Sequence, residues 1–149
     1  MISPIELEIV VACDPASAFA LFAQKTTMWW PPSHTVSGAS GFEVVFEPWP
    51  GGRIFERTPD GAEHDWGEVV VWESPHRLVY LWHLRADRSA SSEVEITFTE
   101  NPMGTAIRIV HGGWDRLGEI GEERRDGNQA GWAGLLPHYL RAIGEEPRP

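Results

Sequence analysis

Three sets of residues in this 149-residue chain could do chemistry: eight tryptophans, a short strand carrying opposed charges, and six dispersed histidines. Trp29, Trp30, Trp49, Trp66, Trp72, Trp82, Trp114 and Trp132 each bring a wide apolar ring and one N–H that needs a partner when buried. A core holding several such rings is awkward to close tightly, so they suit aromatic walls with a few polar tips gripping a small apolar molecule. Taken singly, each also suits plain packing between a sheet and a helix. In "EPWPGGRIFERTPDG", period-2 alternation puts Arg53 and Phe55 on one face and Ile54 and Glu56 on the other. One charge must then face inward, and a buried charge is tolerated only when paired. Alternation leaves open which of the two it is. Arg53 is expected inside with Phe55, since a guanidinium can lay its stem on aromatic walls and hold a carboxylate or enolate through two bonds. An edge position with solvent access would place both charges outside without any function. His111 closes the apolar face Ile107, Ile109 of a strand. It reads as a pocket hydrogen-bonding group or general base, or as a histidine bonded to a neighbouring carbonyl or carboxylate.

Other chemistries lack their spacing. His34, His64, His76, His83, His111 and His138 show no i, i+2 or i, i+4 pairing, so no metal site is expected. Neither a nucleophile elbow, a P-loop nor a dinucleotide fingerprint occurs, and no cofactor is expected. Cys13 is the one cysteine, which excludes an intramolecular disulfide. Lys+Arg 12 against Asp+Glu 22 gives a formal charge of -10, and such a surface repels nucleic acid and anionic membrane. The N-terminus has no basic segment before its apolar run, and no run approaches the ~20 apolar residues a membrane span needs. A cytoplasmic location follows as an expectation.

The elements that would position these residues are legible in turn signals and periodicity. Ile5, Leu7, Ile9 and Val11 alternate along a first strand, and Asp14-Pro15 is a helix cap followed by proline at N1. A short helix with apolar residues through Phe19 and Phe22 ends before "MWWPPSH", and a second short helix follows before the next strand. Turns such as "PWPGG", "PDGA", "ESPH", "RADRSAS" and "ENPMG" then separate six predicted strands, over 42–47, 52–58, 64–73, 77–84, 92–100 and 105–112. The stretch "DRLGEIGEERRDGNQ" reads as a solvated loop with room for one helical turn, and Asp126 as the cap of a last helix. In that helix Trp132, Leu135, Leu136, Tyr139, Leu140 and Ile143 form one apolar stripe for a sheet, Pro137 is expected to bend it, and the tail "EEPRP" is expected to fray.

The order of elements, with "WWPPSH", "EPWPGGRIFER", "DGAEHDWGEVVVWESPHRLVYLW", "SEVEITFTE", "GTAIRIVHGGW" and "GWAGLLPHYL", resembles the standalone bacterial members of the heat-shock-protein-90 ATPase activator-like family. That family lies within the START-like (SRPBCC) superfamily. The resemblance implies an α+β helix-grip fold: a seven-stranded antiparallel sheet wrapped around a long C-terminal helix, with two short helices between strands one and two. It also implies a cavity between sheet and helix of the kind the superfamily uses to hold apolar small molecules. The chain is expected to form a single ligand-binding domain over 1–149.

Three functions are weighed. The leading one is binding of a hydrophobic or aromatic metabolite; the alternatives are a cyclase, dehydratase or hydrolase using the same cavity, and a chaperone ATPase regulator acting by protein contact. The walls are expected from Trp30, Trp66, Tyr80 and Trp82 on one side, from Phe98, Ile109, His111 and Trp114 below, and from Trp132 and Leu136 on the helix. Trp82 is expected beside Phe98 or Ile109. Arg53 and Phe55 would supply the polar anchor and its platform, and His111 or Glu56 would serve as acid–base group if there is catalysis. A homodimer and a chaperone contact stand as further partners that the sequence does not decide.

Overall fold

In the computed structural model, which describes residues 1–84 and 86–145, one antiparallel sheet of seven strands runs in the order β1-β7-β6-β5-β4-β3-β2. The strands are β1 (Ile5–Val11), β2 (Glu43–Phe46), β3 (Arg53–Arg57), β4 (Glu63–Glu73), β5 (Arg77–Trp82), β6 (Ser92–Asn101) and β7 (Gly104–Gly112). Consecutive strands pair as a meander from β2 to β7, and β1 closes onto β7. Between β1 and β2 lie helix α1 (Pro15–Ala23) and two 3-10 turns, Thr26–Met28 and Pro32–His34. The Asp14 side chain accepts a hydrogen bond from the Ser17 N–H at 2.9 Å, with Pro15 opening the helix as its cap sequence requires.

The last helix, α2 (Gly121–Glu145), is longer than its apolar stripe predicts. The stretch read as a solvated loop is a 3-10 segment, Trp114–Ile120, followed at once by helix. Asp126 lies inside α2 and is not its cap. The early start has a local cause: Glu122 and Glu123 occupy the first turn, where carboxylates favour the positive end of the helix. Gly121 also sits so close to the Trp114 carbonyl that a Cβ there would fall 2.2 Å from its oxygen. Pro137 lies inside α2, and the tail beyond 145 lies outside the described residues.

The core forms where α1 and α2 cover the inner face of the sheet. Phe19 packs edge-on against Trp72 and Phe98, and Phe22 and Trp29 against Tyr139 of α2. Tyr139 donates to the Ala18 carbonyl at 2.8 Å, tying the two helices together. Of the expected stripe on α2, Trp132, Leu135, Tyr139 and Ile143 are buried, Leu136 sits half-buried at its margin, and Leu140 is exposed. Ala142 completes the buried side. No helix among the described residues is long and apolar enough to cross a membrane.

Candidate functional site

A cavity of about 510 Å³ opens between β5 and α2, closed on one side by the loop that follows α1. Trp30, Tyr80, Trp82 and Trp132 give it aromatic walls, with Leu84 and Leu135 beside them. The half-exposed Arg124 and Asn128 lie with the exposed Ser33 and Gly127 at its polar rim. On α2 the lining positions are 124, 127, 128, 131, 132 and 135, spaced i, i+3, i+4, i+7, i+8 and i+11, so they are one helical face. That face continues the buried stripe toward the N-terminus, but with glycine at 127 and 131 where a packed helix would present large apolar groups. A Cβ built on either glycine meets nothing within 4 Å. Part of the cavity is therefore the room left by those two missing side chains.

Two of the walls, Trp30 and Trp132, present hydrocarbon because their indole N–H groups are engaged elsewhere. Trp30 donates its indole N–H to the His34 carbonyl at 3.0 Å, and Trp132 donates to His111 Nδ1 at 2.9 Å. Behind this layer Trp66 is fully buried, with its ring centroid 5.1 Å from that of Trp30 and 5.7 Å from that of Trp82. His34 ties the mouth shut on one side: its Nε2 lies 3.2 Å from the Gly131 carbonyl, and its ring lies against Gly134, where a Cβ would meet it at 3.3 Å. His83 contributes to the lining as well. Its Nε2 bonds Asp65 at 3.0 Å, while its buried Nδ1 finds no partner among the described residues.

His111 lies beneath this wall, 1% exposed. Since Nδ1 accepts from Trp132, the proton sits on Nε2, which donates to Ser92 Oγ at 2.7 Å; Ser92 in turn donates to the Trp82 carbonyl at 3.2 Å. The Trp114 ring covers the imidazole at 4.6 Å between centroids, and its indole donates to the His111 carbonyl. Burial pushes the imidazole pKa down from 6.5 to about 3. A neutral ring with both nitrogens committed has no free lone pair for a substrate proton, so the geometry gives His111 a positioning role: it fixes Trp132 of α2 to β7.

The charged strand is oriented opposite to the expectation. Ile54 and Glu56 face the interior, and Arg53, Phe55 and Arg57 face outward. Alternation grouped the residues correctly, and the inside was assigned to the wrong group. Glu56 is fully buried because four donors converge on its carboxylate: the Val36 N–H (2.5 Å), the Ser37 N–H (3.3 Å), the Ser37 hydroxyl (2.6 Å) and the Trp66 indole (2.9 Å). Burial pushes this carboxyl up, but the hydrogen bonds from Ser37, Val36 and Trp66 outweigh it and hold it below its ordinary value. It stays ionised and staples the 35–38 loop to the sheet, leaving no capacity for acid–base work. Outside, Arg53 and Arg57 both bond Glu63 at 3.0 Å and lie over the Phe55 ring, 4.2 and 5.3 Å from its centre. Phe55 is buried by its own strand neighbours and is not a cavity wall.

Of the other expected wall residues, Trp30, Tyr80, Trp82 and Trp132 line the cavity. Trp66, Phe98, Ile109 and Trp114 are fully packed, and Leu136 is half-buried at the helix margin; none of these lines it. Trp82 stands beside Trp30, Trp66 and Tyr80 rather than Phe98 or Ile109. Phe98 instead meets Phe19. The unforeseen lining residues are Leu84, Ala86 and Leu135, together with a polar and small set: Ser33, His34, His83, Arg124, Asn128 and the two helix glycines. Their i, i+3, i+4 spacing on α2 was a usable signal, hidden by the absence of apolar side chains.

The family described as "Activator of Hsp90 ATPase homolog 1-like protein" matches residues 13–145. CalC, a self-sacrificing resistance protein from Micromonospora echinospora, superposes with a TM-score of 0.72 at 28% identity, over 96% of this chain and 95% of its own. An anthrahydroquino-γ-pyrone synthase is 32% identical over 82% of this chain and 84% of its own, with a TM-score of 0.57. A protein from Mesorhizobium loti shares the fold at a TM-score of 0.68 and 20% identity, over 97% of this chain and 98% of its own. No functionally curated protein matches the sequence closely.

Proposed function

The chain belongs to the Activator of Hsp90 ATPase homolog 1-like family, and from that premise we propose that it is a small-molecule binding protein, working as one ligand-binding unit that holds an apolar aromatic compound between β5 and α2. The observation that carries this reading is the aromatic wall of Trp30, Tyr80, Trp82 and Trp132 around some 510 Å³ of space. Sites of this size and lining take ligands of a few fused rings. The relatives support it, since one is a synthase of an anthrahydroquino-γ-pyrone and another a self-sacrificing resistance protein. The synthase also favours a second reading, catalysis in the same cavity. Neither His111 nor Glu56 is available for that chemistry, so it would rest on Tyr80 and on His83, whose Nδ1 has no partner among the described residues.

The test uses N-phenyl-1-naphthylamine, a neutral apolar dye, titrated against the wild type and Gly131→Leu. Residue 131 lines the cavity and a side chain there enters open space, so leucine fills the room the dye needs. Saturable binding to the wild type and a loss of about tenfold or more in the variant are expected, the equivalent of ~1.4 kcal/mol. Equal affinity in both proteins overturns the assignment of the site. Native mass spectrometry of the purified protein is expected to show a copurifying aromatic compound that the variant lacks.

A further inference from the structure

We propose that the ligand carries one ionised oxygen on its aromatic body, a carboxylate, enolate or phenolate, and that Arg124 is the residue that selects it. The inference rests on the cavity being the binding site. The chain has 22 acidic residues against 12 cations, yet among the described residues no carboxylate lines the cavity and one cation, Arg124, does. Arg53, Arg57, Arg77, Arg88, Arg108 and Arg125 are each engaged in an ion pair. Arg124, like Arg116 and Arg141, has no ion pair among the described residues, and of these three it is the one that lines the cavity. Its Nη2 is spent on the Ala90 carbonyl at 2.8 Å, which pins the guanidinium at the rim with its remaining donors unassigned.

Keeping a half-buried cation unpaired in an acidic protein is unfavourable, and a bound anion removes that cost. A guanidinium matches a planar acid oxygen pair better than a point charge does. Deeper in the cavity the Tyr80 hydroxyl, 3% exposed by residue, makes no hydrogen bond to any described residue. It supplies a second polar point for a carbonyl or hydroxyl of the same ligand. The anchor expected on Arg53 of the sheet thus lies on the helix, at a position that lacks the apolar pattern of a core-facing residue.

A matched pair of dyes tests this. 8-Anilinonaphthalene-1-sulfonate has the body of N-phenyl-1-naphthylamine plus one anionic group, which stands in for the acid oxygen. The formal charge of -10 disfavours adventitious sulfonate binding elsewhere. Arg124→Gln is expected to weaken the sulfonate dye by about tenfold or more, the loss of a charge-assisted hydrogen bond, and to leave the neutral dye within about twofold. Arg124→Lys should retain part of the preference. In the wild type, added salt should weaken the sulfonate dye and spare the neutral one, a readout that needs no variant. Equal losses for both dyes, no loss for either, or salt-independent sulfonate binding would overturn the inference while leaving the cavity as the site. Failure of the neutral dye to bind, or its indifference to Gly131→Leu, would overturn the cavity reading itself.

Discussion

His111 is buried as a neutral imidazole, and that state makes the protein measurably less stable in mild acid. The folded pKa is held down at about 3, against 6.5 for an unconstrained ring. Below pH 6.5 the unfolded chain takes up a proton that the folded chain refuses, so stability present above 6.5 is lost as pH falls toward 3. Each unit of pH in that window is worth about 1.4 kcal/mol, so between pH 7 and pH 5 this one ring removes about 2 kcal/mol. The carboxyls held low in the fold, Glu56 among them, lose their contribution only as pH falls below their unfolded values of 4.5 and 3.8, outside the span from pH 7 to pH 5. In urea the midpoint should drop by roughly 1 M between the two pH values on account of His111. His111→Gln keeps a polar side chain for Trp132 and Ser92 but cannot titrate, and subtracting its pH dependence from the wild type cancels the other five histidines. A difference near 2 kcal/mol is expected. An identical pH dependence in both proteins, or a His111 ring nitrogen seen by NMR to titrate near 6.5, would refute the neutral buried imidazole and the positioning role built on it.

Two contrasts follow from the same geometry. Glu56→Leu leaves four donors facing an apolar group and should cost about 3 kcal/mol or more, whereas Arg53→Met removes an exposed pair and should cost about 1 kcal/mol or less with dye binding unchanged; thermal melts that reversed this order would return the charge to the opposite face. Trp66→Ala should cost about 3–5 kcal/mol as a core truncation, while Trp82→Ala, at the cavity wall, should cost less and weaken N-phenyl-1-naphthylamine. Equal stability losses from the two would mean that Trp82 is packed as tightly as Trp66.

The sheet was legible almost to the residue because most of its strands are bounded by proline or glycine turns and have one apolar face. The Asp14-Pro15 cap and the inward placing of Tyr80 and Trp82 were legible for the same reason: local chemistry decided them. The inner face of β3 was not, because each face of that strand carries both a charged and an apolar side chain. What decides it is a ring of donors from residues 36 and 37, some twenty positions away, and alternation contains nothing about them. The first turns of α2 were hidden for a different reason. A helix face that lines a cavity has no hydrophobic partner to match, so Arg124, Gly127, Asn128 and Gly131 lack the apolar period that marks a packed helix.

Gly127 and Gly131 set the capacity of the molecule apart from its fold. Each glycine in a helix interior is less favourable than alanine by about 0.8–1.0 kcal/mol, and here a methyl group at either position would meet no obstacle. Replacement by alanine should therefore raise the melting temperature and shrink the chamber at once. A search for heat-stable variants would drift toward proteins that melt higher and hold less, with no change at the aromatic walls or at Arg124. Read in the other direction, a lineage could resize this cavity by one or two substitutions on a single helical face, leaving sheet, caps and buried carboxylate untouched.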